Sequence, residues 1–246
     1  MNEKIKQNRK LLLGSGGIGE PDRMNAWRYA LSAFLQPKTT ILFIPYAIAD
    51  YDAYLKRIRE FGLCMDFPIV SIHDCADPVQ AIEGADAVFV GGGNSFRLLH
   101  TLYRLGLIDS IRKHVSLGKP YMGISAGTNM SCPTLMTTND MPIIMPPSFN
   151  SFDLIPFQIN PHYMDGAIYL EKNGEYVPHR GETRDLRIQE YLEENKGPVL
   201  GIREGEILHV SGYSAKLCGL NGAKLFKKGE CPQEIAPESD LSYLLQ

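Results

Sequence analysis

The stretch from Lys119 to Met130, KPYMGISAGTNM, joins a short apolar run to a turn in which a serine stands between two glycines. The run Pro120–Ile124 predicts a buried strand, and the residues after Ser125 are compatible with a helix. Small neighbours of this kind allow a strained strand-to-helix turn to present a serine hydroxyl. The stretch therefore predicts one β–α unit of an α/β fold, with Ser125 at its turn.

The same alternation of apolar runs and amphipathic stretches continues along the chain. The predicted strands are Lys10–Leu13, Thr40–Pro45, Pro68–Ile72, Ala85–Val90, Pro120–Ile124, Val199–Ile202 and Glu206–Val210. The predicted helices are Arg23–Leu35, Tyr51–Phe61, Pro78–Glu83, Ser95–Leu105, Leu107–Leu117 and Glu182–Asn195. Strands that alternate with helices in this way predict a mostly parallel sheet that is covered by helices on both faces.

The C-terminal part departs from this alternation. From Leu208 onward, Gly-containing turns separate short strand-like pieces, which predicts an antiparallel edge of the sheet. The tail after Pro232 is polar, and we expect it to be loose. Neither an internal repeat nor a Ser/Gly-rich linker interrupts the chain, so residues 1–246 are expected to form a single α/β domain.

Composition and charge argue against several classes of protein. The net charge is −3 and the basic residues are spread along the chain, so no nucleic-acid partner is expected. No apolar run approaches the roughly 20 residues that span a bilayer, and Leu11–Leu13 is too short for the core of a secretory signal. The five cysteines are widely separated and lack zinc-ligand spacing. These features predict a cytoplasmic protein with reduced thiols, no metal and no membrane partner.

A glycine-rich motif, GSGGIG at Gly14–Gly19, follows the first predicted strand with the spacing of a dinucleotide-binding loop. Such a loop also needs an acidic residue at the end of the second strand, about 20 residues further on. That strand ends in Pro45 and Tyr46, and Asp50 comes too late. The motif is therefore interpreted as a flexible β–α turn, and nucleotide binding is kept as an alternative.

A nucleophilic serine needs oxyanion donors, a base and an acid that orients the base. The amide of Ala126 and the glycines of the Val90–Phe96 stretch, VGGGNSF, would supply donors at the carboxyl ends of two strands. His162, in a segment that looks like a loop, is the candidate base. His179 is expected to be exposed to solvent. Two carboxylates compete for the third role, Asp140 in TTNDMP and Glu204 in GIREGE.

Five motifs in order resemble the peptidase E family of aspartyl dipeptidases: VGGGNSF, GISAGTNM, TTNDMPI, LIPFQINPH and GETRDLRI. The resemblance implies a fold like that of class I glutamine amidotransferases, a three-layer α/β/α sandwich around a mostly parallel, flavodoxin-like sheet. It also implies a cytoplasmic serine peptidase that cleaves dipeptides with N-terminal aspartate and needs no metal or other cofactor.

Mapped onto this sequence, the resemblance implies Ser125 as the nucleophile and His162 as the general base. The oxyanion hole would be formed by the amides of Gly93 and Ala126. The family pattern supports both carboxylates, Asp140 and Glu204, as the third member, and the choice stays open. The acid that does not orient His162 would orient the loop or the amino group of the substrate.

Arg184 suits an acidic substrate, because a guanidinium can bind a carboxylate with two parallel hydrogen bonds. The alternative for Arg184 is a surface ion pair with Glu182 or Asp185. Asn94 and Arg187 are further candidate substrate-binding residues. The segment 163–181 is longer than expected for the family, and we expect it to close over the site.

Three other functions are compatible with parts of this pattern. A cyanophycinase-like hydrolase would keep the catalytic residues but act on aspartyl-arginine substrates. A non-catalytic protein of the same fold would bind a small molecule at the same place. A nucleotide-binding protein would use Gly14–Gly19. For the peptidase, the expected partner is an Asp-containing dipeptide, and the expected state is a monomer or homodimer.

Overall fold

A computed structural model describes residues 2–166, 169–178 and 182–246 of the chain. His179 and parts of segment 163–181 (residues 167–168 and 179–181) lie outside the described residues. The helices are α1 (Glu3–Asn8), α2 (Pro21–Phe34), α3 (Tyr51–Phe61), α4 (Pro78–Gly84), α5 (Ser95–Arg104), α6 (Leu107–Ser116), α7 (Ala126–Met130) and α8 (Arg184–Glu194). Short 3-10 helices span Ile72–Asp74 and Ser242–Leu245.

The strands fall into a main sheet, a second sheet and a hairpin. They are β1 (Lys10–Gly14), β2 (Ile41–Ile44), β3 (Ile69–Ser71), β4 (Ala87–Val90), β5 (Tyr121–Ile124), β6 (Gln158–Tyr163), β7 (Tyr169–Lys172), β8 (Glu175–Pro178), β9 (Val199–Arg203), β10 (Ile207–Ser211), β11 (Ser214–Cys218), β12 (Ala223–Phe226) and β13 (Gln233–Ile235). The main sheet has the order β11-β10-β1-β5-β4-β2-β3. Its five strands from β1 to β3 are parallel, and β10 and β11 are antiparallel.

Helices cover both faces of the main sheet. Trp27 and Leu31 of α2 and Tyr54 of α3 pack with Phe43 and Phe89 on one face. Helices α1 and α4 to α7 contribute to the larger core on the opposite face. The three-layer α/β/α sandwich with a mostly parallel sheet is therefore confirmed.

The second sheet carries a large part of the site and was missed as a separate unit. It has the order β13-β12-β9-β6, and β6 runs parallel to β9. Its register is interrupted by a bulge between Asn160 and Tyr163. The segment around His162 is thus a strand rather than a loop. This strand tolerates polar residues because Gln158 Nε2 and Asn160 Nδ2 donate hydrogen bonds within the fold.

The C-terminal predictions need a further correction. The antiparallel edge is present as β10 and β11, but β12 belongs to the second sheet. The tail after Pro232 is not loose, because it forms β13 and buries Leu241, Leu244 and Leu245 in the main core. Among the described residues, no helix has the length and apolar character to cross a membrane.

Candidate active site

The turn at Ser125 lies at the carboxyl end of β5, between the ends of β1 and β4 in the sheet. Ser125 has φ 55° and ψ −111°, a conformation that few residues other than glycine adopt. Its amide donates a hydrogen bond to the Gly14 carbonyl oxygen at 3.0 Å. A Cβ at Gly127 would collide with the carbonyl oxygen of Val90. The glycines therefore serve mainly to bring α7 close to the sheet.

His162 is brought to Ser125 by the bulge in β6. It has φ 54°, and its amide donates to Ser15 Oγ at 2.8 Å. Its Nε2 lies 2.7 Å from Ser125 Oγ, and its Nδ1 lies 2.6 Å from Glu204 Oε1. The three side chains therefore form one continuous hydrogen-bonded row.

Glu204 follows β9, the neighbour of β6 in the second sheet. Its carbonyl oxygen accepts a hydrogen bond from Asn221 Nδ2 at 2.8 Å, which holds the backbone in place. The hydrogen bond with His162, and more weakly the charge of Arg23, hold the pKa of Glu204 below its ordinary value despite partial burial. Glu204 is thus favoured as a carboxylate facing the imidazole.

Asp140 occupies a different place from Glu204. Its Oδ2 accepts hydrogen bonds from the Ser95 amide at 2.7 Å and from Thr138 Oγ1 at 3.2 Å. It therefore lies at the N-terminus of α5, where a carboxylate satisfies a free amide. It also lines the cavity in front of Ser125, so its charge faces any bound ligand.

The candidate oxyanion donors lie on two backbone segments next to Ser125. Ala126 is the first residue of α7, so its amide has no acceptor within the helix. Gly92 and Gly93 follow β4 and line the cavity with Ser125. A Cβ at Gly92 would lie 3.1 Å from the Ser125 Cβ, so this loop passes close to the serine.

The other candidate residues lie around this centre with different partners. The Asn94 side chain caps α5 by accepting from the Arg97 amide and donates to the Met141 carbonyl oxygen. Arg187 is exposed and pairs with Glu182 at 3.0 Å. These two side chains are thus engaged in local structure.

Arg184 is half-buried at the start of α8. Burial and the charge of Arg187 lower the pKa of its guanidinium, and the charge of Asp140 opposes this shift. The predicted alternative for Arg184, an ion pair with Glu182 or Asp185, is not formed among the described residues, because Glu182 binds Arg187 and Asp185 binds Lys224. Arg184 thus lies within electrostatic range of Asp140 and has no carboxylate partner in that part of the chain, but it is not among the residues that line the cavity in front of Ser125.

The loop from Ser15 to Gly17 is part of the site, although its sequence was interpreted as a flexible turn. Ser15 is buried and donates to the Ile202 carbonyl oxygen at 2.9 Å while it accepts from the His162 amide. A Cβ at Gly16 would collide with the His162 ring, and one at Gly17 would collide with the Glu204 carboxylate. The sequence signal that could have placed this loop at the site is its position directly after a predicted strand. That strand is β1, which pairs with β5.

A cavity of about 570 Å³ opens in front of Ser125 and His162. Its wall comes from the Gly16–Gly19 loop, from α2 and α3, and from the Gly92–Gly93 loop. A space of this size accommodates a small molecule such as a dipeptide. His162 lines this wall, but no described residue of segment 163–181 belongs to it. The expected closure of that segment over the site therefore stays a prediction.

Possible metal ligands occur elsewhere on the molecule. Within the described ranges, Asp52, His73 and Asp74 place one ligand atom each within 4.8 Å of one another. The two aspartates are exposed, and none of the three lines the cavity at Ser125.

The profile of peptidase family S51 matches residues 10–218. The chain belongs to this family. Peptidase E of Streptomyces coelicolor is 51% identical over 218 residues, which cover 87% of this chain and 86% of the relative. A probable alpha-aspartyl dipeptidase of Drosophila melanogaster is 46% identical over 208 residues, 84% of each chain.

Two solved structures share the fold of this chain. A putative peptidase E from Listeria monocytogenes superposes with a TM-score of 0.61 at 20% identity and covers 86% of this chain and 98% of its own. A peptidase from an acI-B1 actinobacterium superposes with a TM-score of 0.62 at 17% identity, covering 96% and 98%. The S51 chain described here thus shares its fold with other peptidases.

Proposed function

We propose that this protein is a serine dipeptidase that hydrolyses dipeptides with an N-terminal aspartate. One observation carries the proposal: Ser125 Oγ, the His162 imidazole and the Glu204 carboxylate are joined by hydrogen bonds of 2.7 and 2.6 Å. This arrangement serves acyl transfer, in which a base activates a hydroxyl and an acid orients the base. The name of the insect relative, a probable alpha-aspartyl dipeptidase, supports aspartate as the first residue.

In the first half of the reaction, Ser125 Oγ attacks the carbonyl carbon of the peptide bond while its proton passes to His162 Nε2. Glu204 accepts the hydrogen bond from Nδ1 and stabilises the imidazolium. The carbonyl oxygen becomes negatively charged and is bound by the amides of Gly93 and Ala126. Such preorganised donors are worth about 3 kcal/mol each in the barrier of other serine hydrolases.

In the second half, the tetrahedral intermediate collapses and the C–N bond breaks. His162 gives its proton to the leaving amine, which departs as the second amino acid. Water, deprotonated by His162, then attacks the aspartyl ester on Ser125. Aspartate leaves with the new carboxylate, and the proton returns to Ser125.

Two charged side chains, Asp140 in the cavity wall and Arg184 at the start of α8, suit an N-terminal aspartate. Asp140 faces the cavity and offers its carboxylate to the substrate's ammonium group. Arg184 lies near Asp140 and offers a guanidinium to the substrate's side-chain carboxylate. We propose that these two residues bind the first residue of the dipeptide. Asn94 would support Asp140 by its hydrogen bond to the neighbouring Met141 carbonyl oxygen, and Arg187 would add positive charge near Arg184.

Hydrolysis of Asp-Leu by the wild type and by Ser125→Ala tests this function. The wild type should cleave Asp-Leu and discriminate against Asn-Leu, whereas Ser125→Ala should lose roughly 10³-fold or more in kcat. Ser32→Ala, at an exposed serine of α2, is the matched control and should behave as the wild type. Wild-type turnover in Ser125→Ala would contradict the proposal.

The same assay, extended to polymeric aspartyl-arginine, distinguishes the dipeptidase from two of the alternative functions. A cyanophycinase-like hydrolase would cleave polymeric aspartyl-arginine in preference to Asp-Leu, and a non-catalytic protein would cleave neither. The names of the relatives favour the dipeptide. A cytoplasmic location and a monomeric or homodimeric state stay predictions.

A further inference from the structure

The position of His162 defines the side of the cavity that receives the leaving amino acid. In the proposed reaction, on which this inference rests, His162 must protonate the leaving amine. The imidazole lies against Gly16, at which a Cβ would collide with the ring. The leaving residue would therefore face the Gly16–Gly19 loop, whereas Asp140 lies at the N-terminus of α5, where it accepts a hydrogen bond from the Ser95 amide.

The wall on the Gly16–Gly19 side is apolar. It is formed by Ile18 from the loop, Met24 from α2, Ile58 and Phe61 from α3, and Leu63. Met24 and Ile58 are largely buried, while Phe61 is half-exposed at the rim. An aliphatic side chain that enters this region loses contact with water, and burying a Leu-sized group is worth about 1.5–3 kcal/mol.

The same wall also contains the cationic side chain of Arg57. Arg57 of α3 is exposed, and its guanidinium lies 4.8 Å from the centroid of the Tyr54 ring. Within the described part of the chain, Arg57 forms no ion pair with a carboxylate within 4.0 Å. The Tyr54 ring is buried and packs edge-on against Phe43, so it offers a fixed aromatic surface to the guanidinium.

We propose that this wall is the binding site of the leaving residue, which is an apolar amino acid whose free carboxylate is bound by Arg57. A dipeptide has a carboxylate directly on its second residue, whereas a longer peptide has a neutral amide there. Arg57 would thus select for chain length, and the apolar wall would select for the second side chain. Asp140 is the one acidic side chain in the described lining of the cavity, so no other carboxylate there competes for Arg57.

The test compares Asp-Leu with its amide, Asp-leucinamide, in the wild type and in Arg57→Met. A charge-assisted hydrogen bond should make the wild-type kcat/KM for Asp-Leu roughly 10- to 100-fold higher than for the amide. In Arg57→Met this ratio should fall to near one. Lys56→Met, at the adjacent exposed position of α3 that does not line the cavity, should keep the wild-type ratio.

The second side chain is tested with Asp-Leu, Asp-Gly and Asp-Glu. The wild type should prefer Asp-Leu over Asp-Gly by roughly 10-fold or more, because the leucyl side chain is buried in the wall. Asp-Glu should be the poorest of the three. Equal kcat/KM values for the three dipeptides would overturn the apolar assignment.

Three further outcomes keep the inference and the proposed function distinguishable. If the wild type cleaves Asp-Leu but Arg57→Met keeps the acid-to-amide ratio, the inference is wrong and the dipeptidase function stands. If Arg57→Met instead abolishes the preference for Asp-Leu over Asn-Leu, Arg57 binds the first residue and the inference is also wrong. If the wild type cleaves none of these substrates, the proposed function itself fails.

Discussion

At Ser125 the backbone is held in a conformation that costs a non-glycine residue about 1–3 kcal/mol. Surrounding contacts offset this cost and hold the turn in place. One of them is the hydrogen bond that the Ser125 amide donates to the Gly14 carbonyl oxygen. The buried Thr128 hydroxyl bonds the same oxygen at 2.7 Å. The hydroxyl of Ser125 is therefore aimed at His162 before any substrate binds, which reduces the reorganisation that the reaction requires.

The two candidate acids differ in what their oxygens bind. Glu204 contacts the imidazole that contacts Ser125, whereas Asp140 bonds an amide and a hydroxyl at the start of α5. We therefore propose that Glu204 orients His162 and that Asp140 binds the substrate's ammonium group. Substituting each carboxylate by its amide should produce different kinetic defects.

Glu204→Gln should lower kcat for Asp-Leu by roughly 10²- to 10⁴-fold, because a neutral amide neither stabilises the imidazolium nor fixes the correct tautomer. Asp140→Asn should mainly raise KM, since Asn still accepts the Ser95 amide but offers no charge to the ammonium group. Steady-state kinetics of both purified variants measure this difference. A kcat defect in Asp140→Asn as large as that in Glu204→Gln would contradict the assignment.

Among the secondary-structure elements, the site depends on the close approach of backbone segments to one another and to the catalytic side chains. Helix α7 lies directly on the end of β4, where the Cα of Gly127 faces the carbonyl oxygen of Val90. The Gly16–Gly17 loop packs in the same way against the His162 and Glu204 side chains. Glycine is required at these positions because any Cβ would displace a neighbouring element.

Gly127→Ala should therefore destabilise the fold by about 1–3 kcal/mol, as overpacking against backbone does elsewhere. This loss should exceed the gain of roughly 1 kcal/mol that alanine brings to a helix interior. Gly84→Ala at the end of α4 is the matched control, because a Cβ there meets no atom within 4 Å. Urea unfolding of both variants would reveal the difference, and equal stabilities would refute the packing argument.

The sequence predicted most of the main sheet because its strands carry strong local signals. Every predicted strand is present within a few residues, and α3 spans Tyr51–Phe61 as predicted. Strand β6 was missed because Gln158, Asn160 and Pro161 are unusual in a buried strand. Their polar groups are accommodated only by tertiary partners such as Thr134 and Thr137, which no local pattern reveals.

The site was less predictable than the fold for the same reason. Ser125 and His162 stand out by their local sequence, but the choice between Asp140 and Glu204 depends on distances across two sheets. Glu204 reaches His162 because β6 and β9 run side by side with a bulge next to the histidine. The Gly16–Gly17 loop was misjudged because its packing against these side chains is a long-range contact.

At the scale of the whole molecule, ionic contacts join both flanks of the β7–β8 hairpin to the second sheet. Lys224 of β12 binds Asp165 before the hairpin at 3.3 Å and Asp185 after it at 2.9 Å. Arg203 of β9 also binds Asp165. Because Asp185 follows Arg184 directly, this network fixes the start of α8 relative to the site.

The pH dependence of stability should report this network. Burial raises the pKa of the Asp165 carboxyl, but hydrogen bonds from Arg203 and Tyr163 outweigh it and hold the pKa below the ordinary value of 3.8. Such a carboxyl contributes stability above its unfolded pKa, which is lost as the pH falls through its folded pKa. The free energy of unfolding should thus fall in acid, below about pH 4.

Urea unfolding at neutral pH and at about pH 3 measures this loss. Asp165→Asn should be less stable at neutral pH and should lose less on acidification than the wild type. Asp109→Asn, at a carboxylate whose side chain is 92% exposed, should keep the wild-type difference. An unchanged difference in Asp165→Asn would exclude a role of this carboxylate in acid sensitivity.

Rapid mixing with an activated aspartyl ester would reveal whether Ser125 carries the aspartyl group during turnover. With such an ester acylation is fast, so the acyl-enzyme should accumulate and release one equivalent of alcohol per protein in a burst. Mass spectrometry of the acid-quenched protein should then find the aspartyl group on the peptide that contains Ser125. An undiminished burst in Ser125→Ala, with the aspartyl group on another residue, would show that Ser125 is not the nucleophile.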